Sequence, residues 1–269
     1  MKIVIINADD FGLCAGVNRA IIEAYKKGVL TSATLFTNMI GFKEAVDLAK
    51  QNKGLGIGIH LNLTWGKPVS KEERGSTLIN FKTGYFYSLP QFLLRYFLGS
   101  INFRDVQIEL EYQINKFIDN GLFPTHIDTH HHIILLPKIF NIIYSLMMKY
   151  RIYRCRLLQP SKTYFSDSLL KREVKYAMLK KRGKVDVANL HFPDYVFDIE
   201  KITLKERISQ IRDGVNEIIT HPGYIDEEVG EFSGRIYKRE EELHQLLSEE
   251  VSDLIKRSNI KLINYGDIN

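Results

Sequence analysis

"KIVIINADDFGLCAGVNRAIIEAYKKGVL", residues 2 to 30, decides the fold. Residues 2–8 are apolar at almost every position. Such a run suits a strand buried on both faces, as in a parallel sheet. Residues 16–30 carry apolar side chains at helical spacing and close near Gly28. A dinucleotide fold would need G-x-G-x-x-G between such a strand and helix. Here "NADDFGLCAG" puts two acids where a pyrophosphate needs bare backbone. The first β–α unit therefore ends in negative charge.

The alternation continues along the chain. Further strands are predicted at 31–38, 55–64, 124–130, 152–159, 185–192, 215–224 and 260–267. Amphipathic helices are predicted between them, among them 41–52, 103–121, 137–150, 167–183, 204–213 and 238–258. Strands alternating with helices imply parallel pairing through right-handed crossovers. Seven or eight such units predict an α/β fold, a TIM-barrel-like (β/α) barrel, more readily than an open sheet. The expectation is one domain over residues 1–269. Residues 65–103, rich in Gly, aromatics and turn formers, form an insertion over the barrel mouth.

Composition excludes several classes. The 269 residues carry a net charge of +5, with 45% apolar residues. The densest basic stretch, 171–184, lacks the aromatic interleaving of a nucleic-acid surface and reads as a solvated helix face. Cys14 and Cys155 form no CxxC pair, which excludes a zinc ribbon or redox motif. No apolar run is long enough to span a membrane, and the N-terminus lacks a signal peptide's h-region. The expectation is a cytoplasmic protein without membrane or nucleic-acid partners. A homodimer is an open option.

Barrel enzymes carry their chemistry at the C-terminal ends of strands. The predicted strands end in Asn7, Asp9 and Asp10; in His60 and Asn62; in His126, Asp128 and His130; and in His221. Two imidazoles and a carboxylate are a common catalytic metal set. The candidates are His60, His130 and one of Asp9 or Asp10. At a strand end the chain can turn and bring both acids to the mouth. Other histidines, such as His126 and His132, would orient the ligands or serve structure.

"NADDFGL", "GIHLNLT", "PTHIDTHHHI" and "THPGY" together resemble the YdjC-like family of carbohydrate deacetylases, over residues 2 to about 265. That resemblance implies a barrel-like fold and metal-dependent removal of an acetyl group from an N-acetylated sugar. It implies Asp9 as catalytic base, Asp10, His60 and His130 as metal ligands, and His221 as an acid. Ile134 stands where the family often has a further histidine, and Cys14 where Ser or Thr is usual.

The expected cofactor is a divalent metal ion, Mg2+ or Zn2+, with manganese or cobalt open. Asn62, Asp128, Asp194, Arg156 and Trp65 are the expected substrate-binding residues. Asp128 or Asp194 is the expected partner of His221. Trp65, Tyr85 and Tyr224 could stack on sugar rings. The alternatives are metal-dependent phosphoester or glycosidic hydrolysis, and a sugar-binding regulator without turnover.

Overall fold

The opening apolar run forms β1 (Lys2–Phe11), buried from Val4 to Phe11 and central to the sheet. The computed structural model describes residues 1–70, 76–158, 162–164, 187–199, 201–224 and 236–269. The other main strands are β2 (Ser32–Leu35), β3 (Gly56–Leu61), β6 (Ile127–Thr129), β7 (Thr163–Tyr164), β8 (Tyr195–Asp198) and β9 (Gly214–Thr220). They lie in the order β6-β3-β2-β1-β9-β8-β7, every pairing parallel. Two more parallel bridges, Ile127 to Cys155 and Arg154 to His191, carry the ladder from β6 towards the segment that enters β8. The sheet therefore curls, and residues 154–156 link its two ends.

Helices cover the outside. In α1 (Ala15–Lys27), Val17, Ala20, Ile21 and Ala24 are buried, the i, i+3, i+4, i+7 stripe of a core-facing helix. α2 (Phe42–Gln51), α4 (Phe103–Asp119) and α5 (Pro137–Tyr150) likewise bury one face. The 65–103 insertion holds an antiparallel hairpin, β4 (Ile79–Asn80) with β5 (Tyr85–Phe86), and then α3 (Leu89–Phe97). The C-terminal part adds α6 (Leu204–Ser209), α7 (Ile236–Leu247) and α8 (Glu249–Arg257). No described helix is long and apolar enough to cross a membrane.

The parallel (β/α)-barrel architecture is as predicted, but three strands differ. The described part of the predicted fifth strand 152–159, residues 152–158, makes only bridges, at Arg154 and Cys155. At 185–192 the described part is a turn and one bridge, and the strand forms at 195–198 instead. A hydrophobic count cannot tell "VDVANLHF" from "YVFD", and only pairing with β9 selects the second. The predicted eighth strand shrinks to β10 (Lys261–Leu262), which pairs with Ile3 and Val4 of β1. β2 pairs with β1 only from Asn7 onward, so β10 fills the edge beneath β2 and does not extend the ring. The predicted 167–183 helix lies outside the described residues.

The C-terminal segment then enters the barrel from its N-terminal end. Tyr265 is buried, donates its N–H to Ser32 Oγ at 3.1 Å and stacks on His126 at 3.6 Å. Gly58 of β3 makes room for that ring: a Cβ there would sit 2.4 Å from His126 Cε1. His126 cannot retreat, because Tyr265 stands behind it. Gly58→Ala should therefore destabilise the protein by about 1–3 kcal/mol in urea unfolding. Unchanged stability would show that the stack is loose.

Candidate metal centre and its buried charge network

β1 loses register against β2 between Ala8 and Phe11, and Asp10 sits there at φ 69°. This bulge brings the paired acids to the mouth together, where a straight strand would point them to opposite faces. His60 is the penultimate residue of β3, and His130 follows β6 at the start of a 3-10 turn (His130–Leu135). Asp10 Oδ1 lies 3.6 Å from His60 Nε2 and 3.6 Å from His130 Nδ1. The two ring nitrogens are 3.4 Å apart. Phe36 packs edge-on against both rings, at 4.7 and 5.1 Å. His131 and His132 also adopt positive φ, 54° and 53°. Non-glycine residues in that region store strain, which concentrates at functional sites.

A second layer fixes these side chains. Asp128 Oδ1 lies 2.6 Å from His60 Nδ1, which aims Nε2 at the centre. Such a carboxylate–imidazole pair orients a metal-binding histidine. Beneath them lies the guanidinium of Arg156, buried from solvent. It donates to both oxygens of Asp9 at 2.7 and 2.8 Å, contacts Asp128 Oδ2 at 2.6 Å, and donates to Glu217 Oε1 at 2.9 and 2.7 Å. From the other side, Arg239 of α7 donates to Asp10 Oδ2. Glu242, one turn later on α7, accepts the backbone N–H of His221. The His221 ring faces two carboxylates, with Nε2 3.9 Å from Asp9 Oδ2 and Nδ1 3.9 Å from Glu242 Oε2.

These contacts set the charge states. Burial alone would raise Asp9, but Arg156 outweighs it and holds the carboxyl far below the usual range. Asp10 is likewise depressed, burial being outweighed by Arg239, with His130 and His221 adding. Burial opposes charge on His60, yet Asp128, Asp9 and Asp10 raise its pKa. Burial lowers His130, and Asp10 only partly offsets this.

The donor set fits a divalent cation. It offers two imidazole nitrogens and a carboxylate oxygen within 4.8 Å of one another. Asp10 Oδ1 is buried and has no hydrogen-bond partner among the described residues. Among the described residues, Asp9, Asp10, Asp128, Glu217 and Glu242 formally set five negative charges against the two of Arg156 and Arg239. A divalent ion offsets most of that excess. Asp9, His60 and Asp128 also lie close enough for an ion, but Arg156 already occupies both of those carboxylates.

Asp9, Asp10, His60, His130 and His221 thus converge. Trp65 joins them, its ring stacked on His130 at 5.2 Å. Asn62 is buried and structural: it donates to Trp65 O at 2.6 Å and Asn38 Oδ1 at 3.2 Å. Gln113 of α4 brackets its backbone, and Glu109 accepts from Val69 and Ser70, so α4 fixes the start of the insertion. Asp128 and Arg156, expected to face substrate, are buried beneath the centre. Asp194 lies at the opposite end of the barrel, accepting from Val215 N at the start of β9. Among the described residues, the carboxylates beside His221 are therefore Asp9 and Glu242, not Asp128 or Asp194. Tyr224 is tied to Glu23 on α1, and Tyr85 lies exposed under Lys67. Arg239, Glu242 and Glu217 have no local sequence signal.

A family model for YdjC-like proteins matches residues 3–257. A carbohydrate deacetylase of Clostridium beijerinckii is 35% identical over 98% of this chain and 99% of its own. A carbohydrate deacetylase of Thermoanaerobacter pseudethanolicus is 35% identical over 99% of each chain. A solved structure from Enterococcus faecalis V583, of a protein assigned to cellobiose-phosphate cleavage, superposes with a TM-score of 0.78 at 30% identity. That match covers 98% of this chain and 97% of the other.

Arg156→Met leaves Asp9, Asp128 and Glu217 buried without their cation. The cost should be about 3–5 kcal/mol at neutral pH. The sign of its pH dependence follows from Asp9. A depressed folded-state pKa gives stability that is full above the ordinary carboxylate range and lost as pH falls below it. Without Arg156 that contribution is gone, so the gap to wild type should shrink as the pH is taken below about 4. Urea unfolding of the metal-free proteins checks this. A gap that widens in acid contradicts it.

Proposed function

The chain belongs to the YdjC-like family, and from that membership and the site's geometry we propose a metal-dependent carbohydrate deacetylase. It hydrolyses the amide of an N-acetylated sugar, such as a chito-oligosaccharide, to acetate and the free amine. The observation that carries this reading is the convergence of Asp10, His60 and His130 beside an ionised Asp9.

A divalent cation on these three donors would supply Lewis-acid polarisation of the amide carbonyl and would make water a better nucleophile at neutral pH. The nitrogen donors suit zinc, while the carboxylate also accepts magnesium or manganese. The protein's own groups do the rest. Asp9, with Arg156 on both oxygens and Asn7 on Oδ1, stays charged and fixed. It takes a proton from the attacking water as the C–O bond forms. His221, across the mouth and flanked by Asp9 and Glu242, gives a proton to the leaving nitrogen as the C–N bond breaks. Trp65 and the 65–103 insertion form one wall of the substrate site, within a single barrel domain of a cytoplasmic enzyme.

Glycosidic cleavage is less well supported. It requires a carboxylic acid of raised pKa at the scissile bond. Asp9 and Asp10, at the mouth, are both depressed. Glu217 is raised, chiefly by burial, but is buried under Arg156.

Wild-type protein should release acetate from diacetylchitobiose, lose that activity to a chelator and regain it with zinc, magnesium, manganese or cobalt. His60→Ala and His130→Ala should lose bound metal and turnover while keeping their circular dichroism. Asp9→Asn should keep the metal and lose turnover. Acetate release that a chelator leaves intact, or stoichiometric metal in both histidine variants, would overturn the reading.

A further inference from the structure

Several buried titratable groups lie below the metal centre and take no part in the chemistry above. Glu217 and Tyr265 are the two that connect to it. Tyr265 Oη donates to Glu217 Oε2 at 2.6 Å. The other oxygen of Glu217 accepts two donors of Arg156, at 2.9 and 2.7 Å. The remaining Arg156 contacts go to Asp9 and Asp128, and Asp128 holds the His60 ring at 2.6 Å. A continuous line of contacts therefore runs from the C-terminal segment to a metal-binding imidazole.

A guanidinium has five N–H donors in a rigid planar fork. Arg156 spends one on Glu217 from Nε, one each on Glu217 and Asp9 from Nη2, and one on Asp9 from Nη1, which also pairs with Asp128 Oδ2 at 2.6 Å. With four donors bonded and a third carboxylate against Nη1, the group cannot turn in its plane without breaking contacts on several sides. Whatever fixes the Glu217 carboxylate therefore fixes the fork. Tyr265 does so from below, and its own ring is fixed by the His126 stack and by Ser32 Oγ on its backbone N–H. Burial and the Glu217 charge both keep its hydroxyl protonated, and so a donor.

The geometry points to Tyr265 as a positioning residue of the metal centre, acting through Glu217 and Arg156 to hold Asp128 against His60. The C-terminal segment thereby becomes part of the foundation of the site, although it reaches neither metal nor substrate. This inference rests on the metal-dependent reading above.

The test is calorimetric titration of the full chain with Zn2+ and Mn2+. Tyr265→Phe keeps the ring and removes the donor. Glu217→Gln keeps the shape and removes the charge. Both should weaken metal binding by roughly tenfold. Ile268→Ala is the control: Ile268 packs in the same apolar cluster as Tyr265 and Ile5, and its side chain gives no hydrogen-bonding atom to the polar line. It should lower stability and bind metal as wild type does. Wild-type affinity in Tyr265→Phe would overturn the inference, as would Ile268→Ala binding as weakly as Tyr265→Phe. Acetate release by the wild type decides the deacetylase reading separately. A chain that binds metal and releases no acetate sinks that reading, and the affinity series still decides this one.

Discussion

One guanidinium, that of Arg156, meets carboxylates from three strands inside the barrel: Asp9 from β1, Asp128 from β6 and Glu217 from β9. Buried charges are costly unless each is matched in place. This match works only if the sheet curls far enough to bring β6 and β9 to a common interior. Arg156 follows directly on Cys155, whose bridge to Ile127 helps join the two ends of the sheet. Closure of the sheet and neutralisation of its interior are thus one event. The upper rim of that network, Asp9 and Asp128, is also the floor of the metal centre.

The centre inherits its geometry from this floor. His60 points inward because Asp128 takes its Nδ1, and Asp128 is held by Arg156 and Thr34. Asp10 presents one bare oxygen because Arg239 takes the other. That second cation comes from α7, near the far end of the chain, which also brings Glu242 to His221. The first strand therefore supplies the acids, and the last helices supply the groups that restrain them. The strain at Asp10, His131 and His132 lies at this site and is tolerated because so many contacts hold it.

The side chains proposed as ligands were legible in the sequence because they lie at or near strand ends, and strand ends can be read from apolar runs. "THIDTHHH" places His130 where a buried run stops, and "GIGIHLNLT" places His60 near the end of a strand. The restraining groups were not legible. Glu217 lies within β9 directly after Asn216, where an acid cannot be told from an edge residue until its partner is known. Arg239 and Glu242 sit in "KREEELHQ", which reads as a solvated helix face. The eighth strand was misjudged for a related reason. The edge of β1 offers β10 only two residues before β2 takes over, and Tyr265 turns inward instead. Pairing and charge matching are long-range facts, and local patterns do not carry them.

The central claim is that Asp10, His60 and His130 together hold one divalent ion. Anomalous diffraction from crystals grown with zinc or manganese tests it most directly. The account predicts a single strong peak within about 2.0–2.2 Å of His60 Nε2, His130 Nδ1 and an oxygen of Asp10. A peak among Asp9, His60 and Asp128 with Arg156 displaced, or no peak at the mouth, would contradict it.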